Sequence, residues 1–171
     1  MARQPHRIIV EGMDGSGKST LIADLTHRFP KLEIVTRPQG IPFNTWWPFE
    51  MERTSERPIP IHDRFFYSEL VYGPILRGRI EVNTELLNTV VWFLRSVAML
   101  IYVRPHSDTI RANCIGLPQM EGVLANFQQL LESYDKVMMA EIAWYGDRFY
   151  HYDWNSGHNG DVIQAVDHYL S

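Results

Sequence analysis

The sequence predicts an α/β fold in which a parallel sheet is covered by helices on both faces. Two observations lead to this prediction. Short apolar runs that suit buried strands alternate with segments of helical spacing, and the first of these runs leads directly into a glycine-rich loop. With 171 residues, 45% of them apolar and 21% charged, the chain has the size and composition of one globular domain, which we expect to span residues 1–171.

Five segments have the pattern of strands. In chain order they cover residues 7–11, 32–37, 59–63, 98–103 and 148–153. The fourth segment, AMLIYV, is the most apolar, so we expect it in the interior of the sheet. Pro60 weakens the pattern of the third segment, because proline cannot donate to a strand ladder. Ligands of such sheets bind at the carboxyl ends of the strands, where the motifs described next are found.

Four segments have the spacing of helices. In chain order they cover residues 18–28, 84–97, 123–144 and 160–170. The first ends before Pro30, and the second is apolar on most of one side. The stretch PQGIPFNTWWPF, residues 38–49, is predicted to be a loop because it contains three prolines and a glycine.

A motif of the form G-x-x-x-x-G-K-S runs from Gly12 to Ser19, between the first strand and the first helix. In such a loop the backbone N–H groups converge on a phosphate, and glycine leaves room for the anion. Lys18 is expected to contact the β- and γ-phosphates, and Ser19 to bind Mg²⁺. The predicted phosphate-binding residues are Gly12, Met13, Asp14, Gly15, Ser16, Gly17, Lys18, Ser19 and Thr20.

The motif predicts a nucleoside triphosphate as ligand. ATP is favoured because the chain lacks the Asn-Lys-x-Asp signature of guanine-binding switch proteins. Asp63 ends the third strand, where a second carboxylate supports the Mg²⁺ ion in such sites, directly or through water. Arg64 follows it and suits an acceptor phosphate, and Arg37 ends the second strand at the same edge of the sheet.

Four segments resemble the thymidylate kinase family. EGMDGSGKST resembles its phosphate loop, TRPQG its T-R-E-P-G segment, DRFFYSELVYG its D-R-[YFH]-x-x-S-x-x-[AV]-[YF] motif, and LIYVRPHSDTIRAN its strand followed by P-x-x-x-x-x-R. The resemblance covers residues 8–113. It implies the nucleoside monophosphate kinase fold: a P-loop NTPase-type three-layer sandwich with a five-stranded parallel sheet, flanking helices and a short lid at about residues 111–123. A short lid would suit a virus-encoded member of the family.

The resemblance also implies an activity, the transfer of the γ-phosphate of ATP, with Mg²⁺ as cofactor, to a deoxynucleoside 5′-monophosphate. Arg37 and Arg64 would hold the acceptor phosphate, and Asp14 would face the 3′-hydroxyl of the acceptor sugar. Phe65 and Tyr72 would line the base pocket. The loop cation Arg77 completes the predicted acceptor-binding residues.

The sequence differs from the family pattern at the positions where a catalytic arginine is expected. Gly15 stands where some members carry an arginine, and the lid offers only Arg111. An arginine directed at the transferring phosphoryl group is worth roughly 10³–10⁵ in rate. Arg111 is therefore the first candidate, with Arg77 and Arg79 in reserve. The predicted catalytic residues are Lys18, Asp63, Arg64 and Arg111.

Three alternative functions stay open. A deoxynucleoside kinase needs a general base, which such enzymes usually place at the end of the second strand. Arg37 stands there and cannot accept a proton, but Glu50, Glu52 and Glu56 are near in the chain. A kinase acting on a nucleic-acid hydroxyl is disfavoured by the net charge of −4 and by the lack of a basic stripe. A non-catalytic nucleotide-sensing protein would fit the arginine-poor lid.

The composition leads to expectations about the cellular location of the protein and its binding partners. A single cysteine, Cys114, and the lack of an apolar run of about 20 residues predict a reducing, cytoplasmic location without a membrane anchor. The expected partners are small nucleotides, and duplex nucleic acid is not expected. Because thymidylate kinases are often dimers, a homodimer is one expected assembly. The accepted base stays open.

Overall fold

Five parallel strands form one sheet in the order β2-β3-β1-β4-β5. The computed structural model describes residues 6–38, 41–51, 58–157 and 159–171. The strands are β1 (Arg7–Glu11), β2 (Leu32–Val35), β3 (Ile59–Asp63), β4 (Ala98–Val103) and β5 (Phe149–Tyr152). The predicted fold class, a five-stranded parallel sheet flanked by helices, is confirmed.

Helices cover both faces of this sheet. They are α1 (Lys18–Arg28), α2 (Phe43–Met51), α3 (Tyr67–Tyr72), α4 (Thr84–Val97), α5 (Ser107–Ile115), α6 (Phe127–Tyr145) and α7 (Asn159–Leu170). Alternate residues of β4 enter two separate cores: Leu100 and Tyr102 pack with α3, α4 and α6, whereas Met99 and Ile101 pack with α1 and α7. Continuous burial of β4 follows from this coverage, because both faces of the strand are inside the protein. No helix in the described part of the chain has both the length and the apolar character needed to span a membrane.

The second strand is shorter than predicted, because its pairing with β3 ends at Val35. Arg37 consequently lies two residues beyond the strand. The prediction of a loop at residues 38–49 was wrong for its second half, where α2 forms with Pro48 inside it. Phe43, Trp46 and Trp47 are buried from this helix, and their burial outweighs the weak helical propensity of the segment.

Besides α2, two further short helices were not predicted. α3 follows the Asp63-Arg64 pair and continues into a π-helical turn, Gly73–Arg77. α5 follows β4 and buries Ile110 and Cys114, which are four residues apart on one face. Residues 111–115 of the predicted lid therefore belong to α5. The connection from α5 to α6 covers residues 116–126.

Candidate functional site

Two clefts meet at the carboxyl ends of the strands. The first, here called the loop cleft, has a volume of about 750 Å³ and is lined by the glycine loop, Asp63, Arg64 and residues 116–119. The second, the aromatic cleft, has a volume of about 250 Å³ and lies between α2 and α3. Asp63 and Arg64 line both clefts, so the end of β3 separates a site at the glycine loop from a site walled by aromatic rings.

The glycine loop has a backbone that side chains would obstruct. Gly15 and Gly17 have φ angles of 76° and 98°, in the left-handed region that favours glycine. Lys18 is buried behind the loop, and its Nζ donates to the carbonyl of Met13 at 2.8 Å. Burial and the nearby charge of Arg64 lower the pKa of Lys18 to about 7. A polyphosphate in the loop cleft would supply the negative charge that favours the protonated lysine.

Asp63 and Ser19 fit the demands of a magnesium ion. Both residues line the loop cleft, together with Thr20. Mg²⁺ is bound in kinase sites through one or two protein oxygens plus the phosphates of the nucleotide. A carboxylate from β3 and a hydroxyl from the first turn of α1 can provide that set.

Arg64 is the most constrained residue of the site. Its φ is 66°, which is a strained backbone conformation for a residue other than glycine. The guanidinium is ion-paired with the Asp14 carboxylate and lies over the ring of Tyr72, 5.2 Å from its centre. The Tyr72 hydroxyl donates to Asp14 Oδ2 at 3.0 Å and accepts from the Asp14 N–H at 3.2 Å. These contacts join the phosphate loop to β3 and α3.

Glu11 supports the turn that contains Arg64, and the sequence analysis did not identify it. Its side chain is fully buried, and Oε1 accepts a hydrogen bond from the Phe65 N–H at 2.7 Å. Burial raises the pKa of this carboxyl to about 7, although the hydrogen bond from Phe65 and the charges of Arg64 and Lys18 oppose the shift. A charged residue that ends an apolar strand was the signal in the sequence.

Replacing Glu11 by glutamine is expected to make stability less dependent on pH. Because the carboxyl has a higher pKa in the folded protein than in the unfolded chain, its ionisation destabilises the wild type as pH rises from about 4.5 to about 7. Relative to wild type, Glu11→Gln should gain free energy of unfolding through this range, by up to about 3 kcal/mol at pH 8. Urea denaturation at pH 5, 6, 7 and 8 measures the difference, and a difference independent of pH would contradict the assignment.

The aromatic cleft combines stacking surfaces with cations. Phe43, Trp46, Phe65 and Tyr72 line it, and all four are largely buried in the core behind it. Arg37 lines the same cleft and is exposed. Of the predicted acceptor residues, the aromatic cleft thus brings together Arg37, Arg64, Phe65, Tyr72 and Arg77, whereas Asp14 lines the loop cleft.

The remaining predicted cations have other contacts. Arg77 also lines the aromatic cleft, but its guanidinium donates to both carboxylate oxygens of Glu69 at 2.6 Å. Arg79 is 75% exposed and pairs with Glu81. Arg111 lies with its guanidinium 5.8 Å from the centre of the Phe127 ring, at the start of α6. Of the predicted catalytic residues, the loop cleft thus gathers Lys18, Asp63 and Arg64.

The glutamates considered as a general base are distributed differently. Glu50 is buried beside Arg7, whose guanidinium donates to its carbonyl at 2.5 Å and lies 3.9 Å from its carboxylate. Glu52 and Glu56 lie outside the described residues. The described carboxylates that line the aromatic cleft are Asp63 and Glu69, and Glu69 is held by Arg77.

A third cleft, about 540 Å³ in volume, adjoins the glycine loop on its other side. Gly17, Thr20, Asn113, Tyr152 and Trp154 are among the residues that line it. Trp154 comes from the connection after β5 and was not identified from the sequence. Its position directly after the last predicted strand was the available signal, because carboxyl ends of parallel strands meet at one edge of the sheet.

Comparisons with known proteins agree on the fold. No family model and no curated protein matches this sequence. The YorR protein from Bacillus subtilis, solved in complex with phosphorylated GDP, matches with a TM-score of 0.69 and 22% identity, over 95% of this chain and 94% of its own. Deoxyadenosine kinase from M. mycoides with bound dATP matches with a TM-score of 0.62 and 16% identity, over 94% and 99%. The same enzyme with dCMP and a flexible dCDP matches with a TM-score of 0.60 and 17% identity, over 96% and 98%. This chain therefore has the fold of these nucleotide-binding proteins.

Proposed function

We propose that this protein is a nucleotide kinase that transfers the γ-phosphate of ATP to a deoxynucleoside 5′-monophosphate. The observation that carries the proposal is the position of Arg64. It lines both the loop cleft and the aromatic cleft, so a single guanidinium faces the place where a donor and an acceptor phosphate would meet. Phosphoryl transfer depends mainly on positioning and charge neutralisation, which this arrangement supplies.

The donor occupies the loop cleft in this proposal. The loop N–H groups and Lys18 bind the β- and γ-phosphates, and Ser19 with Asp63 would hold Mg²⁺, which neutralises charge on the donor phosphates when bound. The base of ATP extends into the cleft beside Trp154, whose indole offers a stacking surface. Residues 116–119 form the opposite wall of the loop cleft and shield the phosphates from water.

The acceptor occupies the aromatic cleft. Its phosphate lies between Arg64 and Arg37, and its base lies among Phe43, Trp46 and Phe65. A phosphate acceptor already carries negative charge and needs no general base. Arg37 and Arg64 at the cleft favour such an acceptor over a neutral hydroxyl. Glu69 at the same cleft is already paired with Arg77. The deoxyribose preference follows from the resemblance to thymidylate kinases.

A deoxynucleoside kinase is the second candidate. The likeness to deoxyadenosine kinase favours it, although at 16–17% identity that likeness extends to the fold alone. This activity requires a carboxylate near the 5′-hydroxyl of the nucleoside. Asp63, which lines the aromatic cleft, or one of Glu52 and Glu56 would have to provide it, since Glu50 is buried beside Arg7 and Glu69 is paired with Arg77.

An acceptor panel tests the proposal. ADP release from ATP and Mg²⁺ is measured with dTMP, dUMP, dGMP, dAMP, dCMP, the ribonucleotides and the matching deoxynucleosides. Turnover with one or more monophosphates and none with nucleosides is expected, and it names the base. Turnover with nucleosides only would overturn the acceptor assignment in favour of the second candidate. Calorimetric ATP binding without any turnover would instead indicate a nucleotide sensor or a polymeric substrate.

A further inference from the structure

Three consecutive carbonyl groups of the phosphate loop accept hydrogen bonds from outside the loop. The Cys114 thiol donates to the carbonyl of Asp14 at 2.9 Å. The Asn113 side-chain amide donates to the carbonyl of Gly15 at 2.8 Å. The indole N–H of Trp154 donates to the carbonyl of Ser16 at 2.7 Å. The donors come from α5 and from the connection after β5, which lie far from the loop in the chain.

These contacts determine which way the loop peptides face. Across a trans peptide bond, the carbonyl of one residue and the N–H of the next point in opposite directions. Because the carbonyls of Asp14 and Ser16 point toward Cys114 and Trp154, the N–H groups of Gly15 and Gly17 point away from these two side chains. Gly15 and Gly17 line the loop cleft. The N–H of Ser16 bonds within the loop, to the carbonyl of Met13 at 3.2 Å.

α5 and Trp154 pack against the phosphate loop as closely as glycine permits. A Cβ atom on Gly17 would lie 2.8 Å from the indole nitrogen of Trp154. A Cβ atom on Gly15 would lie 2.9 Å from the backbone carbonyl of Ile110 in α5. Both distances are below normal contact. This packing gives a reason for glycine at position 15, where some thymidylate kinases carry an arginine.

We infer that Cys114, Asn113 and Trp154 are positioning residues that hold the phosphate loop in its anion-binding conformation before the nucleotide arrives. A loop without these contacts would have to order its peptides on binding, and the ordering would weaken affinity for the phosphates. The inference rests on the proposed function only in that the loop binds the phosphates of ATP. It adds three residues to the donor site, of which Cys114 is fully buried and acts only through the loop.

A polyphosphate ligand that lacks a nucleobase tests this positioning role separately from any contact with the base of ATP. Trp154→Phe keeps an aromatic ring in the cleft and removes the N–H donor. Trp144→Phe makes the same chemical change at an exposed position on α6 and is the matched control. Affinities for ATP and for inorganic tripolyphosphate are measured by calorimetry at constant Mg²⁺. We expect Trp154→Phe to weaken tripolyphosphate binding about 3- to 10-fold and ATP binding by at least as much, and the control to match wild type.

Cys114 provides the second pair of variants. Cys114→Ala removes the donor and is expected to weaken tripolyphosphate binding to a similar extent. Cys114→Ser keeps a hydroxyl donor and is expected to restore most of the affinity. A thermal melt confirms that each variant is folded, and these variants decide the question if Trp154→Phe does not fold.

The outcomes separate the inference from the proposed function. If wild type binds both ligands and the variants bind tripolyphosphate as tightly, the inference is overturned. A loss of ATP affinity alone overturns it as well, because Trp154 would then act on the base. If wild type binds neither ligand, the proposed function fails and the inference with it.

Discussion

Replacing Lys18 by alanine is expected to reduce phosphoryl transfer by at least about 10³-fold while the protein remains folded. The lysine is buried behind the phosphate loop, and its ammonium group is the cation that the loop itself provides. Removing it leaves the transferring phosphate without that charge, in a site where water cannot substitute efficiently. Steady-state ADP release with the accepted monophosphate measures the effect.

The stability of this variant should change little. Burial lowers the pKa of Lys18 to about 7, because the interior of the folded protein disfavours the charged form. Alanine removes that penalty together with the hydrogen bond to the Met13 carbonyl. Lys136→Ala is the matched control, because Lys136 is exposed on α6. Full activity in Lys18→Ala would refute the assignment of the loop as the donor site.

Replacing Arg64 by alanine is expected to affect the acceptor more than ATP. The KM for the acceptor monophosphate should rise at least about 10-fold and kcat should fall about 10²- to 10³-fold, because a charge-assisted contact to the transferring group is lost. The calorimetric Kd for ATP should stay within about 3-fold of wild type. Arg64 lowers the pKa of Lys18, so its removal lets Lys18 keep its proton and offsets the lost charge.

Two further variants sharpen this test. Arg28→Ala removes an exposed arginine that pairs with Asp24 on α1, and it should behave like wild type. Arg64→Gly should be as inactive as Arg64→Ala but more stable by about 1 kcal/mol, since glycine adopts the left-handed conformation at position 64 without strain. A collapse of ATP affinity in both Arg64 variants would instead place this residue in the donor site.

Local sequence patterns were sufficient to predict the helices and strands whose burial is uniform or strictly periodic. The bounds of β1, β3 and β4 match the predicted strands, and α1 and α4 match the predicted helices. α4 begins where Asn83 caps it, since the Asn83 side chain accepts from the N–H groups of Glu85 and Leu86. α2 was missed because Pro48 within it and Pro42 just before it disfavour a helix locally, whereas the burial of its aromatic side chains against the core stabilises it.

The residues of the candidate site likewise fall into those that a local motif predicts and those that only distant contacts bring together. Lys18 and Ser19 could be identified because their positions depend on a short motif next to a strand. The ion pair of Arg64 with Asp14 joins residues 50 positions apart, and the stretch of chain around each gives no sign of the other. Arg111 illustrates the opposite case, because its chain position suits a lid arginine whereas its guanidinium lies over Phe127.

The sequence by itself determined the parallel α/β fold and the phosphate-binding loop, because both follow from interactions between residues close in the chain. Only the tertiary structure decided that Arg64 faces two clefts, that Glu11 supports its turn, and that Trp154 and α5 hold the loop from outside. The contacts of Glu11, α5 and Trp154 join residues between 54 and 138 positions apart. They arise because the parallel sheet brings the carboxyl ends of its strands to one edge, where side chains distant in sequence share one small volume.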